Sequence, residues 1–401
     1  MAAPVSAISL ILATAALLLA FIVVLFVIEV VVGLTVRRRD DANSHPAPRL
    51  PVAVLIPAYD ESSGLLPTLQ DVSAQMCSGD RIIVVADNCS DDTAAIAAAA
   101  GAEVVERKDA AKRGKGYALA FGRDRLAESP PSIVIIVDAD CRVEEHAIDC
   151  LARTCLATGR PVQALDLMVC ADASPPDLRV AEFAWRIKNW IRPLGLKALG
   201  FPCQLMGTGM AFPWAIIRDA QLATGNIVED LKLGLDLARA GYAATFCPSA
   251  RVTSAFPASD HGVQSQRARW EKGHIALIAT AAPSLMLSGM LRRDPQLVMQ
   301  ALDLAIPPLT LLASLLVYVL TITSLAALFG LPRFPLYITA TAFFLFVLAL
   351  FLAWQSIGRD LLPMGQLRHV IGYFLKKIPL YRRMLTGRGS SQWIRTDRSS
   401  H

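Results

Sequence analysis

Three long runs constrain this chain more than anything else in it. Residues 5–36 carry no charge apart from Glu29, and residues 304–331 and 336–357 carry none at all. Each run exceeds the roughly 20 residues that an α-helix needs to cross a hydrocarbon core of about 30 Å. In lipid such a segment has to satisfy its own backbone, which makes it a helix. The link Pro332-Arg333-Phe334-Pro335 has room only for a turn, so the last two runs read as a hairpin. A hydrophobic fraction of 54% agrees, being too high for an ordinary soluble enzyme.

Charge placement suggests how the spans are oriented. Residues 1–36 lack a positive leading segment and exceed the apolar core of a signal peptide, so we expect an uncleaved anchor. Arg37, Arg38 and Arg39 follow at once, opening a polar linker over 37–51. By the positive-inside rule the N-terminus lies outside and the next segment in the cytoplasm. The tail, 359–401, carries Arg368, Lys376, Lys377, Arg382, Arg383, Arg388, Arg395 and Arg398, and is expected on the same side. The expectation is a multi-pass inner-membrane protein with a cytoplasmic domain over 52–274, an interfacial region over 275–301 and a hairpin over 302–358. Glu29 lies near the basic end of its run, where snorkelling to the interface is the simplest reading. Residues 183–199 mix apolar and basic positions, and 274–290 are apolar but short and interrupted by Pro283; both suit either headgroup-layer helices or helices packed on the domain.

Other classes fall away on composition. The 8 cysteines form no Cys-x-x-Cys pair, which argues for free thiols and against a zinc site. A net charge of +5 without a basic helix or interleaved aromatic stripe argues against nucleic acid.

Between the spans, short apolar strands alternate with helical stretches. Residues 52–56, 81–86 and 133–137 read as buried strands, and 64–75 and 93–100 as helices. Such alternation implies an α/β fold with a doubly wound, mostly parallel sheet, whose ligands bind beyond the carboxyl ends of the strands. Each strand here ends in polar residues. After the third comes Asp138-Ala139-Asp140, two hard carboxylates suited to Mg²⁺ or Mn²⁺ bridging a diphosphate. After the first come Pro57, Tyr59 and Glu61, and after the second Asp87. Their acceptor oxygens suit a base and a ribose. Lys115, flanked by Gly114 and Gly116 where the next helix opens, suits phosphate. Asp91, Asp92 and Thr93 read equally well as a helix cap.

Taken in order, these motifs resemble the donor-binding half of a family 2 glycosyltransferase with the GT-A fold. The resemblance continues downstream and covers roughly 52–274. It implies that Gly207, Thr208 and Gly209 line the acceptor entrance, and that Glu229-Asp230 is the catalytic pair with Asp230 as base. Gln266-Arg267-Ala268-Arg269-Trp270 matches the Gln-x-x-Arg-Trp motif of membrane-integrated members. There Arg269 would meet the donor diphosphate, while Gln266 and Trp270 would meet the acceptor. Read physically, Glu229-Asp230 also suits an acidic helix start, and Trp270 an interfacial anchor.

The expected activity is therefore an inverting, metal-dependent transfer from a nucleotide sugar, a UDP-sugar by resemblance, to a lipid-linked or glycan acceptor. A processive polysaccharide synthase is the alternative. Three spans are few for a polymer channel, so that reading calls on a homo-oligomer or export partners. A non-catalytic scaffold is a third reading. A dinucleotide-binding oxidoreductase is excluded, because Pro57-Ala58-Tyr59-Asp60-Glu61 stands where a Gly-x-Gly-x-x-Gly turn would be needed.

Overall fold

The computed structural model describes residues 2–36, 49–171, 174–226, 228–257 and 259–385. Arg37, Arg38 and Arg39, most of the 37–51 linker, and Arg388, Arg395 and Arg398 of the basic tail lie outside the described residues. Helix α1, Ala2–Thr35, is unbroken and leads towards the catalytic-type domain.

That domain opens with β1 (Val52–Ala58), α2 (Leu65–Ser73), β2 (Arg81–Asp87), α3 (Thr93–Ala99), β3 (Glu103–Arg107), α4 (Lys115–Leu126) and β4 (Ile133–Ile136). Strand β1 is central and runs parallel to both neighbours, with Val54 opposite Ile82 on one side and Ile135 on the other. Every residue from Val52 to Ile56 is buried, because helices cover both faces of the sheet. The period-2 alternation of a strand sends Val52, Val54 and Ile56 to a cluster with Leu65, Leu69 and Ile148. It sends Ala53 and Leu55 to the opposite cluster with Leu119, Leu126 and Phe212.

The second half is less regular. It comprises β5 (Cys141–Val143), α5 (Ala147–Thr158), β6 (Val162–Val169), α6 (Pro176–Arg186), a single π-helical turn (Ile187–Ile191), α7 (Arg192–Ala198), β7 (Met210–Pro213), α8 (Trp214–Ile217), α9 (Glu229–Arg239) and β8 (Thr245–Ala255). Together they complete an eight-stranded sheet of order β3-β2-β1-β4-β7-β6-β8-β5. Strand β7 pairs antiparallel with both β4 and β6, so the parallel half meets a mixed half at β4. The order reverses between β1 and β4, the position where ligands bind in such sheets.

The chain ends in α10 (Asp260–Thr280), α11 (Ala282–Arg292), α12 (Pro295–Ala305), α13 (Leu309–Leu328), α14 (Phe334–Ile357) and α15 (Arg368–Leu385). Among the described residues three helices are long and apolar enough to cross a membrane: Ala7–Thr35, Leu309–Leu328 and Phe334–Ile357. Pro307 and Pro308 start α13 later than residue 304, and Leu304 belongs to α12. Val23, Phe26, Leu312, Leu316, Phe346 and Ala349 share one core among the three spans, with the Phe26 and Phe346 rings 5.5 Å apart.

Residues 183–199 pack on the domain. Ile187 and Ile191 sit against α1, and Leu194 against the sheet. The expected boundary at 274 falls inside α10, which is bent 43° from α11 across a short break. Leu285, Leu297 and Ala301 of α11 and α12 pack on Leu231 and Leu235 of α9, while Leu287, Met290 and Leu291 stay exposed. Glu29 does not snorkel. It is 0% exposed and accepts a hydrogen bond from Arg192 Nε at 2.6 Å. The partner comes from a segment 163 residues away, which no local pattern reveals.

Candidate active site

Three strand ends and one helix start converge at the carboxyl edge of β1 and β4. Gly114, at φ +129°, releases the chain into α4 and sets Lys115 at its first turn. The Lys115 ammonium stands 2.5 Å from Asp138 Oδ1 and donates to the carbonyl of Gly207 at 2.7 Å. Gly207 has φ +108°, a conformation reserved for glycine. A methyl group there would stand 3.1 Å from Asp230 Oδ2 and 3.7 Å from Lys115 Nζ. Lys115, Asp138, Gly207 and Asp230, four of the residues singled out from sequence, therefore meet, and Lys115, Glu229 and Asp230 line one cleft.

The electrostatics follow from that crowding. Burial pushes the Glu229 carboxyl up to about 7, the neighbouring Asp230 charge pushes the same way, and Lys115 opposes both. Burial likewise raises Asp230, against the pull of Lys115 and Lys188. Burial opposes the charge on Lys115, but Asp138, Glu229 and Asp230 outweigh it and hold the ammonium above its ordinary value. A lysine firmly charged among three acids is what a diphosphate needs at its edge.

Gly207, Thr208 and Gly209 are buried. Thr208 Oγ1 accepts from the Asp138 amide at 3.1 Å, so this loop supports the carboxylate pair from below. Gln163, fully buried on β6, clamps it. Its Nε2 donates to Thr208 O at 2.9 Å and its Oε1 accepts from Met206 N at 2.8 Å. Asp140 and Glu61 flank Gly64 on the far side, where a methyl group would be 3.3 Å from Glu61 Oε2 and 3.8 Å from Asp140 Cβ.

The candidate donor residues expected at the first two strand ends occupy the adjoining loops. The Glu61 amide donates to Thr93 Oγ1, while Pro57 and Tyr59 are half-buried beside it. Asp87, 4% exposed, accepts from Arg107 at 2.6 Å and from Asn88 at 2.9 Å through Oδ1. On α10, Gly273 sits so close to Val228 that a methyl group would be 2.7 Å from its Cγ1. That contact ties the helix carrying Gln266, Arg269 and Trp270 to the residue preceding Glu229. Gln266 is buried, and Arg269 lies within electrostatic reach of Glu229. The Trp270 ring lies 5.2 Å from Trp185.

Asp138 and Asp140 suit a divalent metal by donor chemistry. Both offer hard oxygens on one turn, and Asp138 Oδ1 is buried against the Lys115 ammonium. Asp60, Cys89 and Asp91 also cluster at metal-ligand distance. Their atoms are engaged otherwise: Asp60 accepts from Ser90, Asp91 from Ser62 and Thr93, and Cys89 Sγ from the Asp60 amide. We read that cluster as the closure of two loops.

Residues 48–273 match the family model described as glycosyltransferase-like family 2, more than half of the chain. The protein belongs to that family. Its fold is that of a mannosyltransferase from Pyrobaculum calidifontis, solved with GDP-mannose and Mn²⁺. The two share 16% identity at a TM-score of 0.54, over 96% of this chain and 100% of that one. Glucosyl-3-phosphoglycerate synthase from Mycobacterium tuberculosis also matches, at 22% identity and a TM-score of 0.39, over 60% of this chain and 86% of that one. No curated protein sequence matches this glycosyltransferase.

Some residues at the glycosyltransferase site carry no sequence signal. Gln163 and Asp166 look like interruptions of an apolar strand, and Trp185 and Lys188 like parts of an amphipathic helix. Only the alternation along β6 hints that Gln163 and Asp166 fall on opposite faces, and both are buried all the same.

Proposed function

We propose that this family 2 glycosyltransferase is a membrane-anchored, inverting enzyme that moves a sugar from a nucleotide donor to a lipid-linked or glycan acceptor. The convergence of Lys115, Asp138 and Asp230 around Gly207 carries the reading. In it Pro57, Tyr59, Glu61 and Asp87 hold the nucleoside, and Lys115 and Arg269 hold the diphosphate. Asp138 and Asp140 hold a divalent cation, which when bound supplies positive charge to the leaving diphosphate. The fold relative solved with Mn²⁺ supports a divalent ion without choosing between Mn²⁺ and Mg²⁺.

Asp230 takes the proton of an acceptor hydroxyl as that oxygen attacks the anomeric carbon. The bond to the diphosphate breaks on the opposite face, and the nucleotide leaves with the electron pair. Single displacement inverts the anomeric centre and needs no protein nucleophile. Burial and the neighbouring Asp230 charge hold Glu229 up at about 7, so it is partly neutral near neutral pH. Trp270 offers a ring face to the acceptor sugar, with Gln266 beside it. The Gly207–Gly209 loop supports this chemistry from beneath. The basic residues flanking the candidate spans support a domain at the inner face of the membrane, by the arginine rule applied above.

Addition of one or a few sugars is the favoured mode. A growing polymer needs a polar path through the bilayer. The hydroxyls of Ser314, Thr321, Thr323, Ser324 and Thr339 donate instead to the carbonyls of Thr310, Val317, Val319, Leu320 and Pro335 in their own helices. One hairpin and one anchor so arranged present no polar lining. The decisive experiment supplies the full chain in lipid with a panel of nucleotide sugars and measures free nucleotide. Release from one donor, raised by acceptor, is expected. No release from any donor would overturn the enzymatic reading, and long glycan made by this protein alone would restore the processive one.

A further inference from the structure

The segment between β6 and the Gly207 loop holds a cation that the chemistry above leaves idle. Lys188 lies on the π-helical turn Ile187–Ile191. Such turns are rare and concentrate at functional sites, because one extra residue in the turn re-aims side chains. Here the turn sends Asn189 inward, where its Nδ2 donates to Asp166 O and Oδ2 at 3.2 and 3.1 Å. Lys188 is left exposed beside it. It makes no hydrogen bond or ion pair among the described residues, and its ammonium rests 5.2 Å from the centre of the Trp185 ring. Asp230 and Asp166 both lie within electrostatic reach.

The turn is held rigidly. Trp185 Nε1 donates to Asp166 O at 3.3 Å, and Arg192, just after the turn, is locked between Glu29 and Asp303. Gly33 of α1 passes so close that a methyl group there would strike the Ile191 carbonyl at 2.1 Å. Trp270, Trp185 and Lys188 therefore form a continuous wall of two aromatic rings ending in an unpaired ammonium, with Asp230 within its electrostatic reach. A cation resting on an aromatic face is easily recruited by an anion, since cation–π attraction at an exposed site is worth only about 0.5–1 kcal/mol.

We propose that Lys188, with Trp185 beside it, is an anion-recognition subsite for the acceptor, taking a carboxylate or phosphate group while the acceptor hydroxyl faces Asp230. The proposal rests on the reading of Asp230 and Trp270 given above. It makes the preferred acceptor a charged one, either an acidic sugar or a polyprenyl phosphate.

The test uses the full chain in nanodiscs with a donor from which it releases nucleotide. Two matched acceptor pairs serve as probes: a glucuronate-terminated oligosaccharide with its glucose-terminated counterpart, and a polyprenyl phosphate with the free polyprenol. The wild type should favour the charged member of one pair by about tenfold or more in kcat/KM, the size expected for one charge-assisted hydrogen bond. The pair that shows the preference names the source of the anion. Lys188→Gln should lose about tenfold on that charged acceptor and less than about threefold on its neutral partner, and Lys188→Arg should keep the preference. Equal use of both members by the wild type, or equal loss on both in Lys188→Gln, overturns the subsite. Absence of nucleotide release by the wild type from every donor would instead remove the enzymatic reading, and this proposal with it.

Discussion

Glu29, near the C-terminal end of the apolar helix α1, is joined to Arg192 of the sheet domain by a 2.6 Å charged hydrogen bond. Arg192 continues to Asp303 at 2.5 Å, and Gln204 donates to the same carboxylate at 2.6 Å. All three charged groups are buried. Gly195 lies so near the Glu29 carbonyl that a methyl group would meet it at 2.0 Å. The anchor is thus packed and hydrogen-bonded into the domain beside the π-helical turn.

Removing one member of this set should be costly. Arg192→Leu leaves the Glu29 and Asp303 carboxylates buried without their counter-charge, and breaking a buried pair in this way typically costs about 3–5 kcal/mol. Thermal unfolding in detergent should show that loss. The double variant Glu29→Leu/Arg192→Leu should lose less than the two singles added together, as coupled sites do. Strict additivity would mean that the pair does not act as a unit.

Metal dependence should follow the carboxylate pair. Asp140→Asn exchanges one hard anionic oxygen for a neutral amide and should abolish most metal-stimulated turnover. Asp138→Asn should weaken donor binding as well, because it also loses Lys115. Titration of Mn²⁺ against activity and donor affinity separates the two. Full activity of Asp140→Asn in chelator would end the metal assignment.

Asp230→Asn preserves shape but cannot take a proton. Turnover should fall by roughly 10²–10⁴-fold, the usual loss for a general base, while donor affinity survives. Isothermal titration with donor beside steady-state rates distinguishes these. Lost donor binding with normal chemistry would give Asp230 a different task.

Asp166 predicts a pH dependence of stability. Burial, reinforced by the Asp138 charge, raises its carboxyl from 3.8 to about 8. The folded state therefore keeps a proton that the unfolded chain releases above 3.8. Its contribution is fully present below that value and is lost as pH rises towards about 8. Asp166→Asn mimics the protonated form and can still accept from Asn189. In metal-free buffer its unfolding temperature should fall less than that of the wild type between about pH 5 and pH 8. Parallel curves would show that Asp166 is already ionised in the fold.

Strands β1, β2 and β4 of the parallel half, the three apolar helices and the order of the motifs were legible in the sequence, and the reason is local periodicity; β3, whose residues are only half-buried or exposed, was not. Residues 52–56 and 133–137 are apolar throughout because both sheet faces are covered. Asp138, Lys115 and Asp230 could be singled out because each begins or ends such an element. Tertiary structure alone decided what these residues meet. That Glu29 pairs with Arg192 rather than reaching for the membrane surface depends on α7 crossing α1 at two glycines. That Gly207 lies beneath Asp138, with Gln163 clamping its loop, depends on β7 entering the sheet antiparallel beside β4. Trp185 and Lys188 join the site through a π-helical turn that shifts the helix by one residue, a change no 3.6-residue pattern encodes. A hydrophobic pattern specifies which face of an element is buried, but the partner across a buried contact is chosen by the packing of the whole chain.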